Sequence, residues 1–220
     1  MSSAMSNNNN STSYDSKYYS NNNVAYVDGY SLEERRRKYA DVIANICEFM
    51  FFPWIDLGCG PGFLVQILRD MGREAYGCDF SEVAIKKLSD LKTRRFLKSA
   101  DLRELPYTDS QFRSSSSFHV LEHIEEKYIE KVVMGIVRIT KSRFYGIIPT
   151  VDGICERDNI IRKRIYEDVT HRTIKNRVWW ADKFTKHGWV ENVELEKKFD
   201  RKQYGWVFVF DAVQTGNISI

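Results

Sequence analysis

Cysteine is scarce in this 220-residue chain: Cys47, Cys59, Cys78 and Cys155 are widely spaced and form no CxxC pair. That spacing argues against a zinc site or a disulfide scaffold and makes a reduced, cytoplasmic setting the expectation. No apolar run approaches the roughly 18 residues needed to cross a bilayer, so no integral membrane segment is expected. The first thirty residues hold no apolar core of the kind a secretory signal needs. Neither sign of charge dominates: 33 Lys and Arg against 30 Asp and Glu leave +3, too mild to demand nucleic acid as a partner. No Asp, Glu and His spacing suggests a magnesium or calcium site, so no metal is expected. What the chain does have is 43% hydrophobic and 14% aromatic residues, the share of a globular protein. Its length fits one generous domain, or one domain with a tail and an insertion.

Residues 1–23 are dominated by Ser and Asn and cannot bury enough apolar surface to offset their ordering entropy, so a disordered tail is expected there. Tyr14, Tyr18 and Tyr19 fall within it and could dock onto the folded part. Residues 24–220 read as one domain. Ser31 and Glu34 make a capping box that opens a helix running with apolar spacing to Met50, and Pro53 stops it. Trp54 to Leu57 is a short strand ending at glycines. Phe63 to Met71 is a helix, Glu74 to Cys78 a strand, Ser81 to Leu91 a helix capped by Ser81, and Arg95 to Lys98 a weak third strand. Ile124 to Val137 is an amphipathic helix, and Arg143 to Ile148 a strong strand closed by Pro149. This alternation predicts an α/β, Rossmann-like, doubly wound and mostly parallel sheet. After a helix from Arg177 to His187, the runs Val190 to Lys197 and Tyr204 to Val213 predict an antiparallel C-terminal hairpin. A polar stretch at about 150–177 has no place in the repeat and reads as an insertion.

The segment IDLGCGPGF, Ile55 to Phe63, carries the strongest signal. A strand runs into Gly58, Gly60 and Gly62 and then a helix; glycines suit a turn that needs positive φ and a backbone that a ligand approaches closely. Asp79 follows the second strand, where a doubly wound sheet places a carboxylate to accept ribose hydroxyls. A dinucleotide would call for G-x-G-x-x-G, whereas the spacing here is G-x-G-x-G with Asp56 ahead of it. Asp56 would repel a pyrophosphate and suits a ligand bearing an ammonium group. A nucleoside with a cationic amino-acid tail fits better than NAD.

Residues 53–213 resemble the class I S-adenosylmethionine (SAM)-dependent methyltransferase family. D-x-G-x-G-x-G at Asp56 to Gly62 is similar to that family's first motif. Asp79 stands where its ribose-binding acid stands, and Asp101-Leu102 resembles the pair that holds the adenine. FHVLEHI, Phe118 to Ile124, and the stretch Asp168 to Trp189 are similar to the branch that methylates small molecules, quinone precursors and sugars. The resemblance implies a cofactor site of Asp56, Gly58, Cys59, Gly60, Gly62, Asp79, Phe80, Asp101, Leu102 and His119, with Tyr19 closing over it. It also implies S-adenosylhomocysteine (SAH) as product. One departure is visible: the fourth strand reads Phe112 to Phe118, with four serines in its middle. Buried hydroxyls without partners would make it a poor strand or alter the site at its end.

Methyl transfer to a hydroxyl needs its proton removed, and His suits that task near neutral pH. Of four histidines, His119 after the fourth strand and His171 in the insertion are the candidate bases, His123 reads as a structural hydrogen bonder, and His187 sits at a helix end. The reading is therefore a SAM-dependent methyltransferase acting on a small polar acceptor. An RNA or protein methyltransferase is the alternative that the basic insertion (Arg157, Arg162, Lys163, Arg164, Arg172, Lys175, Arg177) would favour. A non-catalytic SAM- or SAH-binding module is the one that the serine strand would favour. Acceptor, oligomeric state and pathway are not encoded in these patterns.

Overall fold

Trp54, Ile55, Asp56 and Leu57 form β1 (Trp54–Leu57), and every one of them is buried. A strand covered on both faces has this near-continuous apolar character. A computed structural model describes residues 32–153, 168–200 and 206–213. The Tyr14 to Tyr19 phrase, the Ser31 cap and the middle of the insertion, 154–167, lie outside the described residues. In chain order, α1 (Leu32–Lys38), α2 (Ala40–Phe49), β1, α3 (Phe63–Asp70) and β2 (Ala75–Asp79) come first. A π-helical turn (Ala84–Leu88), α4 (Leu91–Arg94), β3 (Leu97–Ser99), β4 (Phe112–Phe118), α5 (Glu126–Ile139) and β5 (Thr140–Ile147) follow. The chain closes with α6 (Arg177–Thr185), β6 (Trp189–Glu191), α7 (Val193–Phe199) and β7 (Val207–Ala212).

The strands form one seven-stranded sheet in the order β3-β2-β1-β4-β5-β7-β6. β1, β2, β3, β4 and β5 pair in parallel, whereas β7 runs antiparallel to both β5 and β6. Chain order reverses between β1 and β4, and such a switch point opens a crevice at the carboxyl ends of the two strands. Both faces are covered. Ile55, Leu57, Phe208 and Phe210 share one core with α5 and α6, including Trp180 and Phe184. Trp54, Val207 and Val209 share the other with α2, α3 and Phe199 of α7. Alternate residues of β1 and β7 therefore feed opposite cores, as the pleat requires.

Four departures from the sequence reading have physical reasons. The helix expected from Ser31 onward is two helices, broken at Tyr39, whose ψ of 18° leaves the helical region. The helix expected over Ser81 to Leu91 ends at Ser89, and Asp90 starts α4 by accepting from the N–H groups of Lys92 and Thr93. Ser81 does cap its helix, accepting from Ala84 N–H at 3.2 Å. The strand expected over Val190 to Lys197 stops at Glu191. Asn192 then accepts from Leu195 N–H and opens α7, burying Glu196 and Phe199. The expected tight hairpin is thus an antiparallel pair with a helix between its strands. The fourth departure is the serine strand.

β4 is whole. It spans the sheet centre, in register with β1 from Ser114 to Ser116 and with β5 along most of its length. Ser114, Ser115, Ser116 and Ser117 are fully buried. Each hydroxyl has a partner: Ser114 donates to Phe51 O, Ser115 meets Thr140 Oγ1 at 2.7 Å, and Ser116 donates to Asp56 Oδ1 at 3.1 Å. Ser117 donates to Leu57 O at 3.1 Å. Buried polar groups with partners carry little penalty, which is why the serines do not spoil the strand.

Candidate functional site

The loop after β1 is shaped by left-handed glycines, with φ of 84° at Gly58, 55° at Gly60 and 81° at Gly62. A Cβ on Gly58 would lie 2.4 Å from Val120 Cγ2, and one on Gly62 would lie 2.5 Å from Leu97 Cδ1. At those two positions the missing side chain makes room for the protein's own neighbours. Cys59 is turned inward: its N–H donates to Cys78 O and its buried thiol lies against Gly77. Burial pushes that thiol well above the ordinary range, with Asp79 and Asp56 adding to the effect.

Asp79, at the end of β2, ties the crevice together. Its Oδ2 accepts from Gly60 N–H and its Oδ1 from Ser81 N–H, both at 2.8 Å. Each oxygen keeps a lone pair for a further donor, such as a ribose hydroxyl. Burial raises its carboxyl, and the two N–H groups work the other way. Asp56 lies beneath the loop at 6% exposure. Burial pushes it up to about 7, the Ser116 hydroxyl opposes this, and the charge of Asp79 adds to it. Two carboxylates raised by desolvation form a place where a cationic ligand is favoured. Phe80, beside Asp79, is 40% exposed and leaves an aromatic face at the rim.

Asp101 is engaged differently from the expectation. Burial opposes its ionisation, but the Arg103 side chain and N–H outweigh that and hold it below the usual carboxylate range. Arg103 Nε reaches both oxygens at 2.9 Å and Nη2 reaches Oδ2 at 2.5 Å. A ligand's adenine would share this carboxylate with Arg103. Leu102 is buried on the short turn that Asp101 caps.

The far side of the crevice is built by the segment after β4. His119 has φ of 55° and a side chain 45% exposed; its ring stands edge-on to Trp206. His119 Nδ1 lies 3.6 Å from Oε1 of Glu122, whose side chain is 1% exposed. Burial disfavours ionisation of Glu122, but the adjacent His119 and His123 imidazoles more than compensate and keep it below the usual range. Burial also lowers His123 from its ordinary value. The described start of the returning strap, Asp168 to Thr173, is laced to this segment. Arg172 and Thr173 N–H groups donate to Glu122 O at 2.8 and 2.9 Å, and Thr173 Oγ1 donates to Ile124 O.

His171 packs its ring 4.8 Å from that of His123 and keeps Nε2 3.8 Å from Asp168 Oδ2. The ends of the insertion also meet: Val151 N–H donates to Lys175 O and Arg177 N–H to Asp152. Sequence reasoning missed one convergence. Glu122, His123 and His171 bring their ligating atoms within 4.8 Å of one another. The visible signal was that the phrases FHVLEHI and DVTH each carry histidine; their meeting in space is set by the fold.

Comparison with known proteins bears on this crevice directly. Residues 55–147, which run from within β1 through the end of β5, match a family model described as a methyltransferase domain. That segment is under half of the chain, and the likeness is to a methyltransferase domain. A curated protein of Mycolicibacterium smegmatis, named "probable S-adenosylmethionine-dependent methyltransferase", is 27% identical over 70 residues, 32% of this chain. That match spans 27% of the relative's own length. A SAM-dependent methyltransferase from Archaeoglobus fulgidus superposes with a TM-score of 0.61 at 16% identity, covering 84% of this chain and 95% of the other. A protein from Pyrococcus horikoshii OT3 gives 0.61 at 13% identity, over 93% and 100%. These two likenesses concern the fold. Among the described residues, no helix is long and apolar enough to cross a membrane.

Proposed function

We propose that this methyltransferase domain binds SAM across the β1–β4 crevice and methylates a hydroxyl of a small polar acceptor in the cytoplasm. The observation that carries the cofactor half is the pairing of Asp79 with Gly60 N–H over a buried Asp56. Asp56 faces the cationic tail, Asp79 accepts from the ribose hydroxyls, and Phe80 lies against the base. SAM, when bound, supplies an electrophilic methyl group on a sulfonium. His119, the more exposed of the two candidate bases, takes the acceptor's proton on an imidazole nitrogen, and the Glu122 carboxylate stabilises the cation so formed. The strap from residue 168 to Arg177, with Thr150 to Gly153, shields the acceptor from water, and Tyr19 closes the cofactor side.

The RNA reading loses part of its motive, because Lys175 pairs with Glu126 at 2.7 Å and Arg177 with Glu191 and Glu196. The binding-module reading loses its motive with the intact β4. Calorimetric titration with SAH and with NADH tests the assignment: SAH should bind and NADH should not. Asp79→Ala should weaken SAH binding by about 2–4 kcal/mol if both ribose bonds are charge-assisted. Unchanged affinity in a folded variant would remove Asp79 from the site.

A further inference from the structure

We propose that Glu122, His123 and His171 hold a divalent transition-metal ion at the acceptor end of the crevice. The ligating atoms of the three residues lie within 4.8 Å of one another, so a side-chain shift of under about 1 Å lets ligands at about 2.1 Å share one ion. Both Glu122 carboxylate oxygens are buried and neither has a hydrogen-bond partner. His119 Nδ1, at 3.6 Å, stands beyond hydrogen-bond distance. Buried carboxylate oxygens without a direct hydrogen-bond partner are rare, and here the neighbouring His119 and His123 imidazoles offset the desolvation. A bound cation would give these oxygens a direct partner, and the side chain is at the cluster.

The surrounding hydrogen bonds prepare a ligand. Thr170 Oγ1 donates to Asp168 Oδ1, so it accepts from His123 Nδ1–H at 2.9 Å. The backbone oxygen of Thr170 stands 3.3 Å from the same nitrogen. That arrangement fixes the His123 tautomer in which Nε2 carries the lone pair, as outer partners do for metal-bound histidines. Asp168 also faces His171, its Oδ2 3.8 Å from Nε2, near enough to attract charge there but too far for a hydrogen bond. Two imidazoles and one carboxylate suit zinc, iron, cobalt or manganese better than calcium or magnesium. Three protein ligands also leave a coordination position open, as in catalytic rather than structural sites. An acceptor with an oxygen placed there would have its hydroxyl acidified. This role rests on the proposed function; the existence of the site does not.

The test uses the full chain, freed of metal by chelator dialysis and titrated with Zn²⁺ and Co²⁺ alone, with SAH titrated in parallel. One ion per chain and a change in the Co²⁺ visible bands are expected. Glu122→Gln and His171→Ala should each weaken Zn²⁺ at least tenfold and abolish the Co²⁺ change. Thr170→Val should weaken Zn²⁺ about 10- to 100-fold, the size of effect seen for outer partners. SAH affinity should stay within about threefold in Glu122→Gln, which keeps the shape of the side chain. No stoichiometric ion, or equal Zn²⁺ affinity in Glu122→Gln, overturns the site even where SAH binds. Metal binding without SAH binding would instead uphold the site and defeat the cofactor assignment. Should His171→Ala fail to fold, Glu122→Gln alone decides.

Discussion

Replacing Asp56 by asparagine should change the pH dependence of stability by a predictable amount. Burial lifts this carboxyl from 3.8 to about 7, with Asp79 adding and Ser116 opposing. A group whose folded value lies above its unfolded value stabilises the fold most at low pH. Its contribution is complete below about pH 4, declines as the unfolded chain ionises, and is gone above about pH 7. Three units at about 1.4 kcal/mol each give about 4 kcal/mol in total. Of that, about 2–3 kcal/mol falls between pH 5 and pH 8. The amide of Asp56→Asn cannot ionise and still offers Ser116 an acceptor, so the variant isolates the charge.

Urea unfolding of ligand-free protein at several pH values measures the effect. Asp56→Asn should gain on the wild type by about 2–3 kcal/mol from pH 5 to pH 8. The same charge governs ligand binding with the opposite sense. A cationic tail needs Asp56 ionised, so SAH affinity should rise up to about tenfold per pH unit below 7 and level off above it. In Asp56→Asn it should be weaker at pH 8 and flat. Parallel stability curves for the two proteins would refute the reasoning, since they would mean that Asp56 is ionised in the fold at no penalty.

Three further outcomes are expected. Gly58→Ala sets a Cβ 2.4 Å from Val120 Cγ2 at φ of 84°, so it should cost about 2–4 kcal/mol in urea unfolding. Val120→Ala should restore only the part due to overlap. Ser115→Ala orphans the Thr140 hydroxyl and should cost about 1–3 kcal/mol, whereas Ser115→Ala with Thr140→Val should come close to the wild type; two additive losses would contradict the hydrogen bond. Arg103→Ala releases Asp101, and SAH should bind up to about fivefold more tightly by calorimetry if that carboxylate meets the adenine. A weaker ligand would place Arg103 itself at the cofactor.

Much of the fold was legible because local pattern and tertiary role agree in it. β1 ends at Leu57 because left-handed glycines follow, and α3 starts after Gly62 for the same reason. α5 shows its buried face, Ile129, Val132, Val133, Ile136 and Ile139, at helical spacing. What escaped is set by distant partners. Val193 to Lys197 alternates like a strand, yet Asn192 caps it into a helix, and Glu196 is drawn inward by Val209 N–H and Arg177. The serine strand looked defective because its acceptors lie on β1, on β5 and at Phe51, none of them near in sequence. The glycine loop and Asp79 could be placed from spacing alone. The convergence of Glu122 with His171 could not, since 48 intervening positions carry no periodic signal.

One short segment joins the two halves of the crevice. Ser116 holds the Asp56 carboxylate, Val120 fills the space left by Gly58, and Glu122 supplies the buried acid of the opposite wall. These three residues span the end of β4 and the turn after it, with His119 between them at positive φ. His tolerates that region better than bulky or branched residues do, which lets the chain swing from strand to turn within one residue. A displacement of β4 would therefore shift the Asp56 carboxylate and the Glu122 side of the crevice together. The serines suit that duty: a central strand of small residues, each hydroxyl fastened to a neighbouring strand or to Phe51, is fixed by directed bonds rather than by apolar bulk. Hydrogen bonds define position more sharply than non-directional packing does. A site that works by alignment gains from that sharpness, because misplacement of reacting atoms by about 1 Å is enough to lose about a hundredfold in rate.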